Sequence, residues 1–353
     1  MRIIHTADLH LDSSLSTHLT SLKAEERKKE LLNSFERLTT FAKENDVKVV
    51  IIAGDMFDKK HIPLKIRKKV FDLIKDCPNI DFLYIQGNHD DCDIDGDDKP
   101  SNLKLFNNTW STHTYENVDI HGINFSKNTN TYLYQTLMTD TNKINIVALH
   151  GQVVNHSSDE DINLNNLKDK GIDYLALGHI HQYQANKLDN RGIYCYSGCL
   201  EGRGFDEVGE KGFVLLEIKD NKLTHNFIKF AYRNMYEFNI NIENIDSWPT
   251  LKNIAIETLK NVNSKDMVKI NLKGHFKMDQ QKYIYELERF LLDNYYFGKV
   301  KDESKLYIDL KEYENEISLK GEFVREVKRS LLEESLQDDI IVLGIKALTG
   351  EDL

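Results

Sequence analysis

Two histidines flank a single isoleucine in the stretch YLALGHIHQYQ, where the apolar run Tyr174–Leu177 meets Gly178 and is followed by His179 and His181. Alternate side chains on an extended chain point the same way, so the two imidazoles can converge on one point in a cleft. Imidazole serves as a metal ligand and as a general acid or base. Alone, such a pair reads as a solvated loop. The arrangement recurs, however. MRIIHTADLH ends in Asp8 and His10, VKVVIIAGD in Asp55, DFLYIQGNH in Asn88 and His89, and INIVALH in His150. Each buried run closes with one or two side chains able to bind a metal, and ligand sites in open α/β sheets lie just outside the carboxyl ends of strands.

Asp8, His10, Asp55, Asn88, His150, His179 and His181 are more donors than one ion needs. They suit two divalent ions bridged by a shared carboxylate. Imidazole and oxygen donors without thiolate favour Mn²⁺, Fe²⁺ or Zn²⁺ over Ca²⁺. The Asn88 carbonyl points to a harder ion, Mn²⁺ first, with Mg²⁺ a further alternative. Two ions about 3.5–4 Å apart clamp the attacking and leaving oxygens of a phosphoryl displacement and acidify bound water.

The elements that must position these residues are legible in outline. Residues 1–7 and 47–55 read as strands buried on both faces. Residues 25–45 carry Leu31, Leu32, Phe35, Leu38 and Phe41 at helical spacing, and a second helix follows Pro63. Alternating buried strands and amphipathic helices indicate an α/β layered domain. The runs GIYCYSGCLEG, KGFVLLEIKDN and LTHNFIKFAY read as a meander forming a second sheet against the first. Composition shifts near Tyr232, where a β-α-β-α-β pattern begins. The expected division is 1–232, a smaller α+β domain at 233–312 and a helical tail at 313–353. The tail segment FVREVKRSLLEE is expected to dock on a partner coiled coil through its apolar stripe.

Composition bounds the rest. The 353 residues are 40% hydrophobic and 29% charged, an ordinary globular balance. No apolar run is long enough for a membrane span, and the N-terminus lacks a signal-peptide core, so a cytoplasmic protein is expected. Cys77, Cys92, Cys195 and Cys199 form no C-x-x-C pair and read as reduced thiols. The net charge of −11 and the lack of a basic stripe point away from autonomous, tight DNA binding.

The ordered motifs D-x-H (Asp8 to His10), G-D-x-F-D (Gly54 to Asp58), G-N-H-D (Gly87 to Asp90), H-G (His150 to Gly151) and G-H-x-H (Gly178 to His181) resemble the calcineurin-like metallophosphoesterase family. The flanks MRIIHTADLHLD and YSGCLEGRGFDEVGEKGFVLLEI resemble its SbcD-type nuclease members. The resemblance implies an αββα sandwich with a capping domain. It implies that Asp8, His10, Asp55 and His181 hold one ion and Asp55, Asn88, His150 and His179 the other, with Asp55 bridging. It makes His89 a proton donor to the leaving oxygen and Asp58 the residue that orients His89. It further implies a DNA exo- and endonuclease, a homodimer and an SbcC- or Rad50-like coiled-coil ATPase partner. Two other readings stand beside it: a phosphatase or phosphodiesterase on nucleotides or small phosphoesters, and a mainly structural adaptor for an ATPase.

Plainer roles compete at some positions. Asp58 could cap the helix that follows it. His5, His61, His121 and His156 read as packing or solvated histidines. The acidic run from Asp90 to Asp98 reads as a solvated loop, because a calcium loop would need a glutamate where Asn102 stands.

Overall fold

The computed structural model describes residues 1–15, 19–58, 62–90, 94, 96–124, 132–154, 161–276, 280–306 and 316–349. They form two compact units, Met1–Met235 and Tyr236–Leu353.

The first unit contains two six-stranded sheets. One runs Lys222–Lys229, Gly212–Lys219, Arg2–Thr6, Val47–Ala53, Asp81–Ile85, Leu103–Leu105 from edge to edge. The other runs Gln184–Lys187, Ile193–Tyr196, Tyr174–Gly178, Ile144–His150, Val118–Gly122, Ser111–Tyr115. The central strands of both are parallel. Period-two alternation divides each apolar run between two cores. Ile3, Val49, Ile51 and Leu83 meet Ile120, Ile146, Ala148 and Ala176 between the sheets. Ile4, Val50 and Ile52 face the opposite way, onto Phe35, Leu38, Val70 and Phe71. Those four lie on the helices Ser21–Glu44 and Leu64–Lys75. Val147, Leu149, Leu175 and Leu177 cover the outer face of the second sheet with Leu164 and Leu167. That outer layer is thin. Among the described residues it includes the short helix Tyr132–Gln135, a 3₁₀ turn at Leu164–Asn166 and the short paired strands Val153–Val154 and Ile162–Asn163.

One expectation fails here. The hairpin Gly212–Lys219 and Lys222–Lys229 does not build the second sheet; it extends the first, pairing antiparallel with Arg2–Thr6. The strands ending at His150 and Gly178 belong to the second sheet instead. A doubly buried parallel strand is apolar whichever sheet it joins, so periodicity carries no information on that choice.

In the second unit the strands Met235–Asn241, Met267–Lys273 and Phe297–Asp302 form a sheet. Val268, Ile270 and Leu272 pack on Leu251 and Leu287 from the helices Trp248–Thr258 and Ile284–Asn294. The tail contributes helices Leu319–Lys328 and Glu334–Thr349. Val324, Ile341 and Ile345 are fully buried in this core, with Phe323 and Val327 packed against it. A Cβ on Gly344 would sit 2.2 Å from Phe323, so the glycine lets the two helices close. The Phe323, Val324 and Val327 part of the stripe expected to face a partner is therefore used within the chain, whereas Leu331 and Leu332 from the same segment are exposed. Apolar side chains left open in the tail include Leu319, Leu331, Leu332, Leu336 and Leu343. No helix among the described residues is long and apolar enough to cross a membrane.

Candidate metal centre

Both sheets deliver their strand ends to one place. Asp8 and His10 follow the strand Arg2–Thr6, Asp55 follows Val47–Ala53, and Asn88 and His89 follow Asp81–Ile85. His150 ends its own strand and is paired in register with Gly178, which precedes His179. The backbone turns sharply where strand becomes ligand loop. Asp8, His10, Asp55 and His179 have φ of 53°, 45°, 53° and 104°. Such angles are uncommon outside glycine, and Asp and His adopt them more readily than most residues. Here Asp8 N–H donates to the Gly54 carbonyl at 3.1 Å and His10 N–H to the Asp55 carbonyl at 3.0 Å.

The motif glycines are explained by close approach. A Cβ on Gly178 would lie 1.9 Å from the Ala53 carbonyl oxygen, where the two sheets touch. One on Gly54 would meet His150 Nδ1 at 2.1 Å, and one on Gly87 would meet Asp55 Oδ1 at 2.2 Å. Asp90, expected in a solvated loop, is instead buried beneath the centre. It accepts N–H groups of Asp55 at 2.6 Å, Gly87 at 2.9 Å and Phe57 at 3.1 Å. Burial, then the Asp55 charge, pushes its carboxyl up to about 6.

Three imidazoles are fixed in one tautomer. Nδ1 of His150 donates to the Ala53 carbonyl at 2.9 Å, Nδ1 of His181 to Glu207 at 2.7 Å, and Nδ1 of His10 to Asp58. Each acceptor lacks a proton, so each Nε2 presents a lone pair inward in the neutral ring. These nitrogens converge. His10 Nε2 lies 3.3 Å from His181 Nε2 and 4.0 Å from Asp55 Oδ2; His150 Nε2 lies 3.5 Å from that same oxygen. Asn88 Oδ1 is 2.8 Å from His150 Nε2 and 3.2 Å from His179 Nδ1. Asp8 lies 3.9 Å from His181 Nε2 and accepts the His179 backbone N–H at 3.0 Å. Donor atoms of Asp8, His10 and His181 fall within 4.8 Å of one another, as do those of Asp8, Asp55 and His150.

Lone pairs and carboxylates facing one another need a cation between them, so the donor set fits divalent metal. The electrostatics reflect the same crowding of buried charge. Burial, with Asp55 nearby, pushes Asp8 up to about 8. Burial lowers His10 and takes His150 to about 4, which keeps both neutral, the ligating form. His181 moves upward: burial opposes, but the Glu207 hydrogen bond and the Asp8 and Glu207 charges prevail.

All seven expected donors are thus brought together. His89 sits exposed at the rim, its ring centroid 5.5 Å from that of His10, and its backbone N–H donates to Asp55 Oδ1 at 3.0 Å. Asp58 is placed differently from expectation. Its carboxylate holds His10 rather than His89, because the loop turns it back toward the first strand, where its N–H donates to Asp12 at 2.6 Å. It does not cap the following helix, whose cap is Pro63. His5 packs in the core against the Tyr174 hydroxyl at 2.9 Å, and His121 bonds Thr112 and Asn145. His61 and His156 lie outside the described residues. Glu207 and Arg203 join the site without having been singled out as site residues from the sequence. Both lie in the loop CLEGRGFDE, inside the flank that resembles the SbcD-type members, where nothing in the local pattern assigns either a role.

Comparisons with known proteins point to one family. The family model described as calcineurin-like phosphoesterase matches residues 1–183. The uncharacterized metallophosphoesterase YhaO of Bacillus subtilis is 26% identical over 248 residues, 64% of this chain and 60% of that protein, less than two thirds of its length. The DNA double-strand break repair protein Mre11 of Sulfolobus acidocaldarius is 24% identical over 297 residues, 78% of this chain and 75% of that one. The D component of the nuclease SbcCD from Staphylococcus epidermidis is 24% identical over 267 residues, 63% of this chain and 67% of that one. The chain belongs to the calcineurin-like phosphoesterase family.

Proposed function

We propose that the chain is a DNA nuclease that hydrolyses phosphodiesters at a centre of two divalent ions, Mn²⁺ first among them. The observation that carries this is the convergence of three tautomer-fixed imidazoles on Asp8 and Asp55. Asp8, His10, Asp55 and His181 would hold one ion. Asp55, Asn88, His150 and His179 would hold the other, with Asp55 shared. When bound, the pair supplies the Lewis acidity that draws charge off the phosphoryl group. Asp58 and Glu207 keep His10 and His181 in the ligating tautomer. Asp90 braces the Asp55 and Asn88 loops against each other. His89, exposed beside His10, would give a proton to the departing sugar oxygen.

DNA as substrate rests on the relatives named for break repair and for the SbcCD nuclease. With a net charge of −11, the chain lacks the bulk attraction that would grip DNA unaided. A homodimeric, cytoplasmic nuclease working with an SbcC- or Rad50-like coiled-coil ATPase answers that need. The exposed Leu331, Leu332, Leu336 and Leu343 offer such a partner an apolar face. The test is degradation of labelled single- and double-stranded DNA with Mn²⁺, with and without chelator. Cleavage that stops in chelator is expected. Equal cleavage in chelator would refute the proposal, and turnover confined to mononucleotides would make the chain a phosphatase.

A further inference from the structure

One side chain touches both carboxylates that fix the imidazoles of the first ion position. Arg203 Nη1 lies 3.5 Å from each oxygen of Asp58. Its Nε donates to Glu207 Oε1 at 3.0 Å, and its own backbone N–H donates to Glu207 Oε2 at 2.8 Å. Asp58 and Glu207 in turn hold Nδ1 of His10 and His181. At the other position, His150 Nδ1 is held by the backbone carbonyl of Ala53. The imidazoles of the two positions are therefore held in different ways: His10 and His181 by a charged side-chain network, His150 by the main chain.

The position of Arg203 is itself enforced. Arg27, fully buried, donates to the neighbouring Gly202 carbonyl at 2.7 Å. Glu201, also buried, accepts the Ser34 hydroxyl and the Tyr232 N–H. The loop is thus fixed immediately before Arg203, and the guanidinium fork reaches across to Asp58, a residue 145 positions away in sequence. A planar fork with its charge delocalised matches two separate carboxylates better than a lysine ammonium can. With Asp8 and Asp55 also present, the cation offsets an excess of negative charge. It keeps Asp58 and Glu207 as acceptors for the rings.

We infer that Arg203 is a positioning residue for one ion of the pair: by bridging Asp58 and Glu207 it sets the affinity of the ion that His10 and His181 would hold, and leaves the other ion unaffected. This rests on the two-ion reading above. Removing an outer partner of a metal-binding histidine typically weakens metal binding about 10–100-fold.

The experiment is Mn²⁺ titration of the full chain, read by equilibrium dialysis with metal analysis and by electron paramagnetic resonance, which separates isolated from coupled ions. Wild type, Arg203→Gln, Arg203→Lys and Glu207→Gln are compared. The first equivalent is expected to bind Arg203→Gln as it binds wild type. The second, seen as the coupled signal, should need about 10–100-fold more Mn²⁺. Arg203→Lys should fall between the two and serves alone if the glutamine variant does not fold. Glu207→Gln should weaken the same ion, and combining it with Arg203→Gln should add less than the product of the single effects. Equal weakening of both ions, or unchanged titration with only a raised KM for DNA, would overturn the inference. A wild-type chain that never binds two ions would overturn the two-ion reading itself.

Discussion

The Asp90 carboxylate accepts the backbone N–H of Asp55 at 2.6 Å and that of Gly87 at 2.9 Å, so a single buried side chain sets the spacing of two ligand loops. Asp90→Asn replaces one accepting oxygen with a donor facing another N–H. The expected cost is about 1–3 kcal/mol, the penalty for a buried polar group left unsatisfied. Urea denaturation in chelator reads it directly. A midpoint unchanged from wild type would show that Asp90 does not brace these loops.

Gly178 marks the contact between the sheets, with a notional Cβ 1.9 Å from the Ala53 carbonyl. The obstacle is backbone and cannot swing aside. Gly178→Ala should cost about 1–3 kcal/mol or more, as overpacking does. It should also lower the Mn²⁺ content of the folded fraction, because the Asp55 and His179 loops move apart. Wild-type stability with full metal content would contradict the packing described.

Acid sensitivity has an identifiable source in the core between the sheets. His5 is fully buried, and burial takes its pKa from 6.5 to about 3. Between those values the unfolded chain binds a proton that the folded chain does not. Stability is full above pH 6.5 and falls as pH drops toward 3, by up to about 1.4 kcal/mol per pH unit. His150, lowered to about 4 by burial, adds a loss of the same sign. Denaturation of the chelated protein at about pH 7 and about pH 5.5, either side of the unperturbed histidine value, should show a shallower decline in His5→Asn than in wild type. Identical slopes would remove His5 as the cause.

Much of this site can be read from the sequence, because buried parallel strands are continuous apolar runs and a donor stands at the end of each. Asp8, His10, Asp55, Asn88, His150, His179 and His181 all announce themselves that way. What surrounds them does not. Glu207 and Arg203 lie in a glycine-punctuated loop with no periodicity to locate it, and they reach the centre only after the chain returns from the second sheet. Asp58 follows Asp55 so closely that sequence cannot say which histidine it serves; the turn directs it to His10. Asp90 heads an acidic run, and composition disguises one buried carboxylate among several others. The sheet joined by Gly212–Lys219 depends on long-range pairing with Arg2–Thr6, which local pattern does not encode.

The tail separates core positions from the face proposed for docking. Val324 is fully buried in the second unit, so Val324→Ala should cost about 1–3 kcal/mol. Leu336 and Leu343 are 46% and 57% exposed. Changing both to Glu should leave stability within about 0.5 kcal/mol, as surface changes usually do. That double variant should no longer co-elute with a coiled-coil ATPase of the SbcC type. Co-elution at full stoichiometry would place the attachment elsewhere.

The dinuclear centre is tested most directly by counting Mn²⁺ per chain after equilibrium dialysis, in wild type and in Asp55→Asn. Asp55 Oδ2 faces both His10 and His150, so losing its charge should disturb both positions. Two ions per chain in wild type and at most one in Asp55→Asn is the expected result. Fewer than two in wild type, or two retained tightly by Asp55→Asn, would contradict a pair of ions sharing that carboxylate.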